Sequence, residues 1–261
     1  MEVRTQQLTR YILPLREGGS LPVLGEADDG FKYVVKLRGA GHGKKALVAE
    51  FLGSMIARAF KFNVPETVLL TLSPMFGITE PDEEVRDLLR NSEGLNMSLH
   101  FLSGAATYDS AVNQTDALTA SKIVWLDAFL TNVDRTRLNP NMMIWRNELW
   151  LIDHGASFYF HHSWRNPEAA PLDPFPYIKN HVFLPVADRL EEADRLMRQA
   201  ITPRTLSKIV DLIPEEWLEE EESDLTPSQR REVYRNFLHE RLRNSSIFVA
   251  EAIRQKNLLG R

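Results

Sequence analysis

Hydrophobic positions follow two rhythms along this chain, a strand-like alternation early and a helical period later. Tyr11 to Leu15 and Leu21 to Leu24 read as strands joined by the glycine-bearing turn Arg16-Glu17-Gly18-Gly19-Ser20. Asp28-Asp29-Gly30 signals another turn. The β-branched and aromatic run after it, Phe31-Lys32-Tyr33-Val34-Val35-Lys36-Leu37, predicts a central strand. Gly39-Ala40-Gly41-His42-Gly43 then leads into a helix from about Lys44 to Lys61, with Leu47, Phe51, Met55 and Ala59 on one stripe and Leu52 and Ile56 beside it. Pro65 follows that helix, and Val68 to Leu72 predicts a further strand.

The apolar stretch Met97 to Leu102 ends at Ser103-Gly104-Ala105, a flexible connector that divides the chain into residues 1–104 and 105–261. Thr115 is placed to cap a helix from Asp116 to about Leu130, with Leu118, Ile123, Leu126 and Phe129 on its apolar side. Two short strands follow, Met142 to Trp145 and Leu149 to Ile152. The rest is helical: Thr202-Pro203 and Ile213-Pro214 put proline at first turns, and Thr226-Pro227-Ser228-Gln229 opens a long helix reaching about Lys256. The expected class is α+β, a small sheet with one packed helix ahead of a larger, mainly helical part.

Composition narrows the chemistry. The 261 residues are 43% hydrophobic and 26% charged, ordinary for a globular protein with a substantial core. The net charge of −5 gives no footprint for bulk binding to nucleic acid or anionic lipid. There is no cysteine, so disulfides, thiolate metal sites and cysteine nucleophiles are excluded. No apolar run has the length of a membrane span and the N-terminus is polar, so a cytoplasmic location is expected. The acidic run Glu215-Glu216-Trp217-Leu218-Glu219-Glu220-Glu221-Glu222 reads as a solvated helix face and turn.

Against this background three polar residues stand out: Asp134, Asn139 five positions on, and Asp153 in the turn Asp153-His154-Gly155 after the predicted hairpin. Each alone is an ordinary turn residue. Together they fit phosphoryl transfer, which needs a carboxylate for the acceptor hydroxyl (Asp134) and oxygen ligands for Mg²⁺ (Asn139 and Asp153). Upstream, Lys36 on its strand needs a counter-ion if buried, and Glu50 on the next helix is suitable. Gly18-Gly19-Ser20 is the favoured cover for a nucleotide, with His42, Lys44 and Lys45 as further phosphate or acceptor contacts. Gly39 to Lys44 fails the spacing of a Walker loop. His154, His161 and His162 lack zinc-ligand spacing and read as loop histidines. Trp145, Trp150, Phe158, Tyr159 and Phe160 read as core.

In this order the segments Gly18-Gly19-Ser20, Phe31 to Lys36, Ala46 to Glu50, Asp134 to Asn141 and Leu149 to Gly155 resemble the HipA-like kinases, specifically their short single-domain members. The resemblance implies a two-lobed protein-kinase-like fold with ATP and Mg²⁺ in the cleft. Lys36 would touch the ATP phosphates, Asp134 would be the catalytic carboxylate, and Asn139 and Asp153 would hold the metal. The Met97 to Gly104 connector, with Phe101 and Leu102, would contact adenine. Where ordinary protein kinases have Phe and Leu, this chain has His154 and Arg135. The acceptor stays open: protein Ser/Thr is the leading expectation, a small molecule or a nucleotide-binding scaffold without catalysis the alternatives.

Overall fold

A computed structural model describes residues 2–15, 21–41, 43–78, 80–162, 164, 166–219 and 225–259. Five strands form a closed barrel: β1 (Arg4–Pro14), β2 (Val23–Ala27), β3 (Lys32–Lys36), β4 (Thr67–Leu72) and β5 (Gly94–His100), in the order β1-β2-β3-β5-β4. Only the closing pair, β1 with β4, is parallel. Tyr33 and Val35 of β3 point into the barrel with Leu8, Val23, Val68 and Leu70. Because side chains alternate along a strand, Val34 and Lys36 must face the other way. That alternation delivers Lys36 to the site.

The helix after β3, α1 (Gly43–Ala59), is buried at every position from Leu47 to Ala57. The single apolar stripe expected for it is therefore too narrow. The helix is enclosed on all sides, which is why Ala49, Gly53 and Ser54 are as buried as Phe51. A second helix, α2 (Glu83–Arg90), lies between β4 and β5 and was not expected. Asp82 caps it by accepting the Glu84 and Val85 N–H groups, and Val85 and Leu89 join the barrel's apolar interior.

The second part begins with β6 (Ala106–Thr107) and α3 (Ala117–Leu130), then the hairpin β7 (Met142–Trp145) and β8 (Glu148–Leu151), with β6 paired on β7. Short 3₁₀ turns lead to α4 (Leu190–Ala200), α5 (Pro203–Asp211), α6 (Glu215–Leu218), α7 (Pro227–Arg243) and α8 (Ser245–Leu259). The cap of α3 is Asp116, not Thr115: its carboxylate accepts the Leu118 and Thr119 N–H groups at 3.0 Å. The Thr226–Gln229 capping box forms as expected. The long helix it opens does not run to Lys256. Asn244 caps it instead: its backbone N–H and its side-chain amide both donate to the Glu240 carbonyl, at 2.9 and 2.8 Å, and α8 restarts at Ser245. Among the described residues no helix is long and apolar enough to cross a membrane.

Candidate active site

The loop carrying Asp134 hangs from the end of α3, where Thr131 adopts a left-handed conformation (φ +53°) and stops the helix. A single carboxylate organises this loop. Asp127, fully buried in the last turns of α3, accepts from Arg135 Nε at 2.6 Å, His181 Nε2 at 2.9 Å and Asn132 Nδ2 at 2.9 Å. Burial alone would raise the Asp127 carboxyl, but Arg135 and His181 outweigh it and hold it well below the usual carboxylate range. The Phe183 N–H donates to His181 Nδ1 at 3.0 Å, so the ring proton sits on Nε2 and points at Asp127. Arg135 Nη1 donates to the Asn141 and Ile152 carbonyls, tying the loop to the strand that precedes Asp153.

Asp134 projects from this framework. Its Oδ2 accepts from Asn139 Nδ2 at 2.8 Å and Asn141 Nδ2 at 3.2 Å. A carboxylate only accepts, so the nitrogen of Asn139 faces Asp134 and its Oδ1 is turned elsewhere. Among the described residues neither Asp134 Oδ1 nor Asn139 Oδ1 has a hydrogen-bond partner. Burial, with the nearby Asp153 charge, raises the Asp134 carboxyl and makes it a better base.

Lys36 crosses from the barrel. Its Nζ lies 2.6 Å from Glu50 Oε2 and 2.6 Å from Asp153 Oδ1. Burial opposes charge on the amine, but the two carboxylates win and raise it. Burial likewise works against the Asp153 carboxylate, yet Lys36 brings it down to about 2. Asp153 adopts φ +53°, and its side chain stays 43% exposed while that of Glu50 is wholly buried. Glu50 Oε2 also accepts the His154 N–H at 2.8 Å, so one carboxylate fixes both Lys36 and the Asp153 turn. The His154 ring is buried and held neutral, with burial pushing it down to about 3. It packs directly on α1: a Cβ at Gly53 would fall 2.3 Å from His154 Cβ.

The predicted residues meet at the junction of two cavities. One, of about 570 Å³, is bordered by Lys36, Asp134, Asn139, Asp153 and Tyr159. The other, of about 580 Å³, shares Lys36, Asn139 and Asp153 but is walled by Val34, Leu99, Phe101, Leu102 and Ile152. Phe101 and Leu102 thus lie where a flat apolar group would sit. Gly18, Gly19, Ser20 and His42 lie outside the described residues; their described neighbours Leu15 and Pro22 border the apolar cavity. Lys44 and Lys45 border neither cavity; Lys44 Nζ points to the Glu219 carbonyl at 3.3 Å. The histidines are not simple loop residues, since His154 and His161 are fully buried. The His161 and His162 rings do not point apart but lie 4.6 Å from centroid to centroid. Tyr159 is not core but half exposed.

Among the described residues no group of three or more His, Asp or Glu side chains is arranged to hold a metal ion. An Asn oxygen beside an aspartate is instead the sparse, hard-oxygen set that suits Mg²⁺ when substrate phosphates and water complete its shell. Four residues of the framework escaped sequence reasoning: Asp127, Asn141, His181 and Gly53. Asp127 had a signal, a lone charge within Trp125-Leu126-Asp127-Ala128-Phe129 that burial would oblige to find a partner.

A barrel with an enclosed helix, joined through a polar cleft to a helical half, defines a protein-kinase-like α+β fold. The chain belongs to the HipA-like kinases, whose family model matches residues 9–246. In structure it is similar to the Helicobacter pylori proinflammatory kinase CtkA, with 12% identity and a TM-score of 0.59 over 100% of this chain and 99% of that one. It is similar also to the Golgi casein kinase solved with Mn/ADP bound, with 12% identity and a TM-score of 0.52 over 98% of this chain and 74% of that one. Comparison with curated protein sequences finds no significant match.

Proposed function

We propose that this HipA-like kinase transfers the γ-phosphate of ATP, with Mg²⁺, to a Ser or Thr hydroxyl of a protein. The observation that carries the reading is the convergence of Lys36, Asp134, Asn139 and Asp153 on one junction between an apolar and a polar cavity. Residues 1–104 would grip the nucleotide and residues 105–261 would supply the reacting groups. Adenine would occupy the apolar cavity against Phe101 and Leu102, covered by Gly18-Gly19-Ser20. Lys36, oriented by Glu50, would meet the phosphates. Asn139 Oδ1 and Asp153 would hold the metal, which when bound neutralises charge on the phosphates. The Golgi casein kinase carrying Mn/ADP supports a nucleotide and a divalent metal here.

In the transfer step the bond from the γ-phosphorus to the ADP oxygen breaks as the bond to the acceptor oxygen forms. The acceptor proton passes to Asp134 Oδ1, while Oδ2 is held by Asn139 and Asn141. Protein as the acceptor is supported by the mouth of the polar cavity. Tyr159 borders that cavity and is 50% exposed, a surface that a small acceptor would leave bare and a polypeptide would cover.

The test is incubation with γ-labelled ATP and Mg²⁺, alone and with cell lysate, beside the Asp134→Asn and Asp153→Ala variants. Label on protein that vanishes in both variants supports the reading. A labelled small soluble product would move the acceptor to a small molecule. Nucleotide binding without transfer to any acceptor would make the protein a scaffold.

A further inference from the structure

Over its described part the acidic run at residues 215–222 does carry a solvated side, with Glu215 and Glu219 exposed, but its apolar side is docked. Trp217 is 3% exposed and Leu218 is buried beside it. A four-residue helix cannot hold itself in water, so α6 exists because it is docked. Its contacts with the barrel half bear on the Lys36–Glu50 pair. The Trp217 ring stands edge-on to Phe51, centroids 6.0 Å apart, and Phe51 is the residue after Glu50 on α1. Trp217 Nε1 donates to the Leu95 carbonyl of β5 at 3.0 Å. Glu216 Oε2 lies 2.7 Å from Nη1 of Arg38, two residues beyond Lys36. The Arg38 backbone N–H is itself held by Asn96 Oδ1 at 2.8 Å. On the opposite side the Leu218 carbonyl accepts from Arg230 Nη1 of α7 at 2.6 Å. One turn contributed by the helical half therefore touches the immediate surroundings of both members of the pair.

We propose that α6 is a built-in latch, with Trp217 and Glu216 as positioning residues that keep α1 and β3 in the register where Glu50 meets Lys36. They touch neither nucleotide nor acceptor and act through Phe51 and Arg38. The catalytic consequence rests on the reading of Lys36 as the phosphate grip; the latch itself is a matter of geometry. A kinase so built assembles its Lys–Glu pair without a partner protein to push α1 into place.

The test uses a reporter that needs no nucleotide. The His154 N–H is bonded to Glu50 Oε2, so its hydrogen exchange reports whether Glu50 is in place. Exchange is read by NMR in the full chain, wild type against Trp217→Ala, Trp217→Phe and Glu216→Gln, with the Phe248 amide of α8 as a distant control. In Trp217→Ala the His154 amide should exchange at least about tenfold faster while Phe248 is unchanged, the pattern of local rather than global opening. Trp217→Phe keeps the ring on Phe51 but loses the bond to Leu95, and should show a smaller acceleration. Should Trp217→Ala fail to fold, Trp217→Phe and Glu216→Gln carry the test. Unchanged His154 exchange, or equal acceleration at His154 and Phe248, overturns the latch. In the transfer assay Trp217→Ala should lower kcat in the wild-type background and add nothing to the loss already caused by Glu50→Gln, because both act through one contact. Additive losses would assign Trp217 a merely structural role. Selective His154 exchange in a protein that transfers no phosphate would leave the latch standing and remove the kinase reading.

Discussion

Gly53→Ala sets two effects of opposite sign against each other. In a helix interior alanine is favoured over glycine by about 1 kcal/mol, so propensity alone makes the variant more stable. The packing around Gly53 predicts the reverse. The new Cβ would fall 2.3 Å from His154 Cβ and 2.8 Å from its Cγ, where carbon atoms prefer about 3.5–4.0 Å. Neither atom is the tip of a flexible side chain, so α1 must move away from the Asp153-His154-Gly155 turn. Overpacking of this kind costs about 1–3 kcal/mol. The same displacement breaks the bond from the His154 N–H to buried Glu50, a hydrogen bond to a charged group worth about 1.5–3 kcal/mol. After subtracting the propensity gain, the expected loss is roughly 1.5–5 kcal/mol. The assay is denaturant unfolding, with a lowered midpoint at unchanged slope as the signature. A Gly53→Ala variant as stable as wild type, or more so, would refute the account of how α1 is held against the turn.

Asp127→Asn should lose about 3–5 kcal/mol in the same assay, because it leaves the buried Arg135 guanidinium without its carboxylate; a loss below about 1 kcal/mol would contradict the framework. His154, His161 and His181 are all buried with pKa values pushed down, chiefly by burial, so the unfolded chain binds protons that the folded one refuses. Stability is therefore intact above about pH 6.5 and lost as pH falls, by about 1.4 kcal/mol per pH unit for each imidazole still neutral in the fold. Unfolding midpoints measured from pH 7.5 to 5 check this, and a flat profile would contradict it. Thr226→Ala removes one side of the α7 capping box, Thr226 Oγ1 to the Gln229 N–H at 3.2 Å, and should cost about 1 kcal/mol with no change in activity.

The range of the forces involved decides which features are legible in the sequence. The β-branched and aromatic run over residues 31–37 marked the strand that carries Lys36, and capping chemistry at Thr202 and Thr226 marked two helix starts, because both are local. The short α2 has a usable cap at Asp82 but only Val85 and Leu89 buried, too little pattern to separate it from a loop. The break at Asn244 is a C-cap whose backbone leaves the helical conformation (φ −106°, ψ 28°), which periodicity does not register. Asp134, Asn139 and Asp153 were legible as a candidate set because phosphoryl transfer would demand those groups at close spacing. The groups that hold them were not. Asp127 meets His181 across 54 positions and Gly53 meets His154 across a helix–turn contact, and no local rule reports either. Arg241 is a further case, bonding the Ala128 and Phe129 carbonyls at the end of α3 from more than a hundred residues away.

The central claim is that a metal–nucleotide complex sits at the junction bordered by Lys36, Asn139 and Asp153. Mn²⁺ binding followed by electron paramagnetic resonance, with and without ATP, tests it most directly, since two protein oxygens alone hold a divalent ion weakly. The account predicts weak Mn²⁺ binding without nucleotide, marked tightening with ATP, and loss of the ATP-dependent tightening in both Asp153→Ala and Asn139→Ala. Tightening that survives in both variants, or that never occurs in the wild type, would contradict it.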